Sequence, residues 1–255
     1  MIPWKEHFDM VISLCHTGNK SRVPPLDQEL RRVGLVPDLR VWSVPDPSER
    51  WLARRIRLDR FVRRAGYLNC TLNHYRAMRT AYDLGKRRVL LLEDDIRFLS
   101  DLDALAETVA STPDVPVVMF DLISDGAPSP TAAEIRKMVE RSVDARWAIP
   151  QPHPCSMACV GLDRRGMEHF LRCFDDAFHG RRRLEIVDGF LHPNHRGDLQ
   201  IRVAWPLACI QVPVDGSPSN TALGFFSGQA DCQLEWYRSI GIAPENYGGG
   251  DGSLG

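Results

Sequence analysis

The chain has no apolar run long enough to cross a bilayer. Its longest, Val89–Leu92 and Val203–Ile210, fall far short of the ~20 residues that a helical span needs. The first residues, Met-Ile-Pro-Trp-Lys-Glu-His, show no basic start followed by an apolar stretch, so no signal peptide is expected. Charge of either sign is not in excess: Lys and Arg total 32, Asp and Glu 33, and the formal net charge is -1. That excludes a whole-chain electrostatic grip on nucleic acid, and no nucleic-acid partner is expected. The seven cysteines (Cys15, Cys70, Cys155, Cys159, Cys173, Cys209 and Cys232) are scattered, odd in number and mostly in apolar surroundings. They read as reduced thiols of a cytoplasmic protein. His153, Cys155 and Cys159 form the one dense group of zinc-ligand types. Without a paired Cys-x-x-Cys, no zinc site is expected there.

What is present is ordinary globular material. The 255 residues are 44% hydrophobic and 25% charged, enough to bury a core without a disulfide or metal staple. Strands are expected at Met10–Leu14, Leu39–Val44, Val89–Leu92, Val115–Phe120, Met157–Leu162 and Cys209–Val212, from their β-branched and aliphatic content. Helices are expected up to Val33, around Trp51–Val62, over Leu68–Leu84 with Gly85 as its stop, and over Ser100–Ala110, Thr131–Val143 and Asp163–Phe174. Residues 16–22 and 124–130 read as loops. The alternation of strands with helices argues for an α/β sheet in a single domain over residues 1–247. The Gly-rich tail 248–255 has nothing to pack and is expected to be disordered.

The sharpest local feature is Val89-Leu-Leu-Leu-Glu93-Asp94-Asp95-Ile96. Three consecutive acids follow a strand that reads as buried, where carboxylates cost desolvation energy unless they are hydrogen-bonded or hold a cation. Alternation along the strand puts Glu93 and Asp95 on one face and Asp94 on the other. Two acids converging at a strand end can hold Mg²⁺ or Mn²⁺. An acidic loop or helix cap explains the triplet equally well.

Upstream, Gly66-Tyr-Leu-Asn-Cys70-Thr-Leu-Asn73-His74 leads into a helix, a Gly stop and then the strand bearing the acids. This order resembles the core of glycosyltransferase family 25, the lipooligosaccharide and collagen-type galactosyltransferases. In that family a Gly, a Cys and a Ser-His pair precede a strand ending Leu-Glu-Asp-Asp. Leu92-Glu93-Asp94-Asp95 matches it fully, while Asn73-His74 stands in place of Ser-His and Ser13 in place of an Asn after the opening strand. Arg22, Ser156–Val160 before Arg164-Arg-Gly166, Val187-Asp188, and Pro206, Gln211 and Ser217–Ser219 fall in the family's order, so the resemblance spans roughly residues 8–222.

The resemblance implies a GT-A-like, Rossmann-type mixed sheet flanked by helices. It also implies an inverting, metal-dependent transfer of a hexose, of galactose or glucose type, from a UDP-sugar donor. Mn²⁺ or Mg²⁺ would sit on Glu93 and Asp95. Leu14, Arg22, His74, Glu93 and Asp94 would border the donor, beyond the carboxyl ends of the strands. Inversion needs one general base on the acceptor hydroxyl. Asp188 takes that role by its match, with Asp215 as runner-up and a helix-capping Asp as the bland alternative. His74 reads equally as a donor contact or a structural hydrogen bond. His192, His195 and Asp215 are available as a third metal ligand, unranked. The acceptor is a glycan, a lipid-linked glycan or a peptide.

Arg50, Arg54, Arg55, Arg57, Arg60, Arg63 and Arg64 crowd residues 50–64 with Trp51, Ile56 and Phe61 interleaved. Such a helix can hold an anionic membrane surface, placing the protein peripherally at the inner face of the membrane, or face a phosphorylated acceptor. A solvated face is the plain alternative. Two other function classes stand beside the transferase. One is a nucleotidyltransferase, which His16–Arg22 with its single Gly fits poorly. The other is a non-catalytic module binding a sugar nucleotide or a protein, which the departures at Ser13 and Asn73 leave open.

Overall fold

The computed structural model describes residues 1–43, 56–59, 67–122, 146–149, 156–211 and 237–248. The expected helix over 131–143, most of the basic stretch 50–64, His153, Cys155, Asp215 and the tail beyond residue 248 lie outside the described residues.

A mixed seven-stranded sheet runs through the molecule in the order β2-β1-β3-β7-β5-β8-β6. Its strands are β1 (Met10–His16), β2 (Leu39–Ser43), β3 (Arg88–Glu93), β5 (Val117–Met119), β6 (Trp147–Ala148), β7 (Cys159–Asp163) and β8 (Ile201–Ala204). β1 pairs parallel with both β2 and β3, and β5 with β8, whereas β7 and β6 run against their neighbours. β4 (Ile96–Phe98) and β9 (Cys209–Gln211) form a separate antiparallel pair, with Ile96 opposite Gln211. The sequence reading missed β4, β6 and β8 and found the other six to within two residues at each end.

Period-two alternation sorts the core. Met10, Ile12, Leu14, Val89 and Leu91 face one side of the sheet, while Val11, Leu90 and Leu92 face the other. On the first side lie α3 (Tyr67–Asp83), through Ala77, Met78 and Ala81, and α5 (Arg164–Phe178), through Met167, Phe170 and Phe174. On the second lie α1 (Trp4–His7), α2 (Val23–Arg32) and α4 (Leu102–Ala110), through Trp4, Leu26, Leu30, Leu105 and Val109. Helix starts follow the expected capping chemistry: Asp163 accepts from Gly166 N at 2.9 Å, and Asp101 from Asp103 N and Ala104 N. Gly85, at φ +68°, ends α3 as expected. A 3₁₀ turn (Thr17–Arg22) links β1 to α2, and another (Val187–Leu191) precedes the four-residue α6 (Pro193–Arg196). No described helix is long and apolar enough to cross a membrane.

Candidate functional site

The site forms at the carboxyl ends of β1 and β3, which the parallel register aligns: Leu14 lies opposite Glu93. β3 is also the strand where parallel pairing gives way to antiparallel pairing with β7. Open α/β sheets leave crevices for ligands at such ends.

Glu93 and Asp95 converge, as alternation requires. The Gln211 side-chain amide Nε2 donates to Glu93 Oε2 and to Asp95 Oδ1, each at 3.1 Å. Asp94 turns the other way. Its Oδ2 accepts from His16 N at 2.9 Å and its Oδ1 from Arg22 at 2.9 Å, while the same guanidinium nitrogen reaches Asp95 Oδ2 at 3.4 Å. Asp94 therefore ties the end of β1 to the acid turn, and Arg22 spans both of its aspartates. Glu93 and Asp95 keep 20% and 14% of their side-chain surface exposed, so both remain within reach of a ligand. Burial pushes both carboxyls above the ordinary carboxylate range; the charges of Asp188 and Asp94 add to the effect at Glu93, and that of Glu93 adds to it at Asp95.

α3 supplies the floor. Cys70 Sγ donates to Glu93 Oε1 at 3.2 Å, and burial together with Glu93 holds its thiol well above the usual range. His74 is fully buried and sits 3.6 Å from Glu93. Its Nδ1 lies 3.0 Å from Cys70 O and its Nε2 3.1 Å from Met157 O. With its ring nitrogens against these two carbonyls, His74 ties α3 to the segment entering β7. Cys70, His74 and Glu93 lie close enough together to pass for a metal trio, but both His74 ring nitrogens already lie against backbone carbonyls. Leu14 is likewise a core side chain; only its backbone borders the site.

Two further residues belong here. Asp121, two residues beyond β5, is fully buried; its Oδ1 accepts from Cys159 N at 3.1 Å and its Oδ2 pairs with the Ser156 hydroxyl. Burial, opposed by those two hydrogen bonds and reinforced by Glu93 and Asp95, raises its carboxyl to about 8. The 156–159 segment that it fixes offers Ala158 O to Glu93 N at 2.7 Å and Met157 O to His74. Asp121 thus sits behind the site and braces it. The sequence carried the same signal as at Glu93, an acid directly after an apolar run, but as a single acid. Gln211 is the other. It appeared in the sequence only as a matter of order and enters the site because β9 pairs with β4.

Asp188, in the 3₁₀ turn, raises the pKa of Cys70, His74 and Glu93 through its charge, so the fold brings it to the same cluster. His195 Nε2 faces Glu185 at 3.2 Å, and His192 Nδ1 caps the short α6 by accepting from Asn194 N. The arrangement holds oxygen donors, a buried cation and a further carboxylate around one point at a strand end. Oxygen donors suit Mg²⁺ or Mn²⁺. The amide nitrogen between Glu93 and Asp95 shows that the two carboxylates are already arranged about a partner carrying positive charge density.

No protein-family model and no curated protein matches the chain. Among solved structures, mouse xyloside xylosyltransferase 1 in its apo form is similar over 76% of this chain and 84% of that one, at 10% identity and TM-score 0.39. A glycosyltransferase involved in glycosylation of the major capsid of PBCV-1 is similar over 79% and 93%, at 8% and 0.39. A mannosyltransferase from Pyrobaculum calidifontis, in complex with GDP-Man and Mn²⁺, is similar over 91% and 67%, at 16% and 0.39. Likenesses this distant assign no role to any residue.

Proposed function

We propose that the protein is a metal-dependent glycosyltransferase that moves a hexose from a nucleotide-sugar donor, a UDP-sugar, to an acceptor hydroxyl with inversion. The observation that carries this reading is the pair Glu93 and Asp95, turned together at the end of β3 and bridged by one amide nitrogen. The Leu-Glu-Asp-Asp order that resembles family 25 gives the pair its meaning. Glu93 and Asp95 would hold Mn²⁺ or Mg²⁺, which when bound neutralises the donor diphosphate as a leaving group. Arg22 keeps the aspartates from repelling each other and lies beside the ribose and diphosphate. Asp188 takes the proton from the acceptor hydroxyl as that oxygen forms its bond to the anomeric carbon, opposite the departing diphosphate. His74, Cys70 and Asp121 hold Glu93 in place. The acceptor is a glycan, a lipid-linked glycan or a peptide, and the basic stretch 50–64 is the candidate surface for a phosphorylated acceptor or membrane.

The test is thermal unfolding with UDP, with and without Mn²⁺. A ligand at ~100 times its dissociation constant adds about 2.7 kcal/mol, a shift of several degrees. The expected result is a shift that needs both UDP and Mn²⁺ and is lost in Asp95→Asn, which keeps its fold. No shift with any nucleotide would make the chain a transferase in layout alone and favour a binding module.

A further inference from the structure

The two acids do not complete a coordination shell, and the site contains one more group aimed at the same point. Gln211 Nε2 stands 3.1 Å from one oxygen of Glu93 and 3.1 Å from one oxygen of Asp95. The amide presents its N–H₂ end to them, the arrangement that suits carboxylates in their ionised, accept-only form, with one hydrogen for each acid. The backbone behind this side chain is fixed. Gln211 lies opposite Ile96, directly after the acid turn, and its N donates to the buried Tyr237 Oη at 3.1 Å, which in turn donates to Leu122 O at 3.0 Å. A side chain anchored this way can change what it offers only by turning its terminal amide. The other end of that amide is a neutral carbonyl oxygen, one of the donor types that hard divalent cations accept alongside carboxylates.

We propose that Gln211 is the third protein ligand of the divalent cation and also its stand-in. Without the ion, its N–H₂ bridges Glu93 and Asp95 and offsets their repulsion; with the ion, the amide turns and gives Oε1. This rests on the cation reading of Glu93 and Asp95 proposed above. It assigns the third position to a residue facing the acids, rather than to His195, which faces Glu185.

The experiment is titration of the nucleotide-free protein with Mn²⁺, followed by calorimetry and by the paramagnetic resonance of free Mn²⁺, together with the unfolding midpoint in EDTA. Three proteins carry the argument beside wild type. Gln211→Met keeps the length of the side chain and loses both donor and ligand; its Mn²⁺ affinity should fall at least tenfold, with the EDTA midpoint lowered. Gln211→Glu supplies a ligand oxygen without the donor; its EDTA midpoint should fall while its Mn²⁺ affinity equals or exceeds that of wild type. A loss of Mn²⁺ affinity in Gln211→Met together with its retention in Gln211→Glu is what a merely structural glutamine does not give. Asp95→Asn should abolish binding. If wild type binds and Asp95→Asn does not, but Gln211→Met binds like wild type, the Gln211 assignment is overturned and the acid site stands. If Gln211→Glu loses Mn²⁺ affinity in step with stability, Gln211 is structural and the assignment also falls. If wild type takes up no Mn²⁺, the cation reading falls and takes the assignment with it.

Discussion

Asp188 and Asp121 are both carboxylates near Glu93, and their surroundings differ. Asp188 is half-buried in a 3₁₀ turn and its charge acts on Cys70, His74 and Glu93, which suits the base role proposed for it. Asp188→Asn should lower kcat by a hundredfold or more, the scale of a lost general base, with the Kd for UDP changed little; steady-state rates and nucleotide titration check both halves. Asp121 meets no solvent, and burial raises its carboxyl to about 8, which favours the protonated form at neutral pH. Asparagine reproduces that neutral form: Oδ1 keeps Cys159 N, and Nδ2 donates to Ser156. Asp121→Asn should therefore cost less than about 1 kcal/mol at pH 7, while Asp121→Ala, which strands Cys159 N, costs about 1–3 kcal/mol, as urea unfolding would measure. Glu93 and Asp95 were legible in the sequence because three charges after a buried strand break a desolvation rule that demands compensation. A lone Asp after Val117–Phe120 breaks it less visibly, and Gln211, being neutral, not at all. His74 was legible as a residue, whereas the carbonyls of Cys70 and Met157 that meet its ring nitrogens were not.

Elements with two or more turns, or four or more strand residues in a continuous apolar run, were readable from period and stop signals. β4 and β6, with three and two residues, give no period to read, and β8 carries Arg202 and shares only Val203 and Ala204 with the apolar run that Pro206 interrupts. α5 runs four residues beyond the expected Phe174, because Ala177 and Phe178 continue its apolar face after the charged pair Asp175-Asp176. Its first turn shows how closely helix and sheet meet. A Cβ on Gly166 would lie 2.3 Å from Pro116 O, a backbone atom that also accepts from Asp163 N at 3.0 Å. Neither side can yield without moving the helix cap off the end of β5. Gly166→Ala should destabilise by roughly 1–3 kcal/mol, seen as a lower denaturation midpoint with an unchanged denaturant slope.

Across the whole molecule, the acid cluster sets a pH dependence of known sign. Glu93, Asp95 and Asp121 have folded pKa values raised above those of the unfolded chain. Their contribution is fully present below the unfolded carboxylate range and is lost as pH rises through the raised values, the last of them at about 8. The buried histidines His74 and His169, lowered by desolvation, act in the opposite sense, but only below their ordinary 6.5. In EDTA the unfolding temperature should therefore fall between pH 7 and 8.5, and less so in Asp121→Asn. Excess Mn²⁺, bound by the ionised acids, should narrow the wild-type difference and release protons as it binds. The mixed sheet with helices on both faces was readable from the order of strands and helices. The convergence of its ends on one point was not, because that depends on which strands become neighbours.

Glu93 and Gln211 are 118 residues apart in the chain. During synthesis the acids emerge, and β1 and β3 can pair around them, long before the strand that carries the amide exists. Contacts between such distant segments close late, after the loop between them has lost its freedom. Until then the two facing carboxylates have Arg22 and Cys70 beside them but not the Gln211 amide that bridges them in the finished fold. Under the assignment proposed for Gln211, a chain that has not yet folded through residue 211 presents only the two acids of the ion site and would hold the ion more weakly.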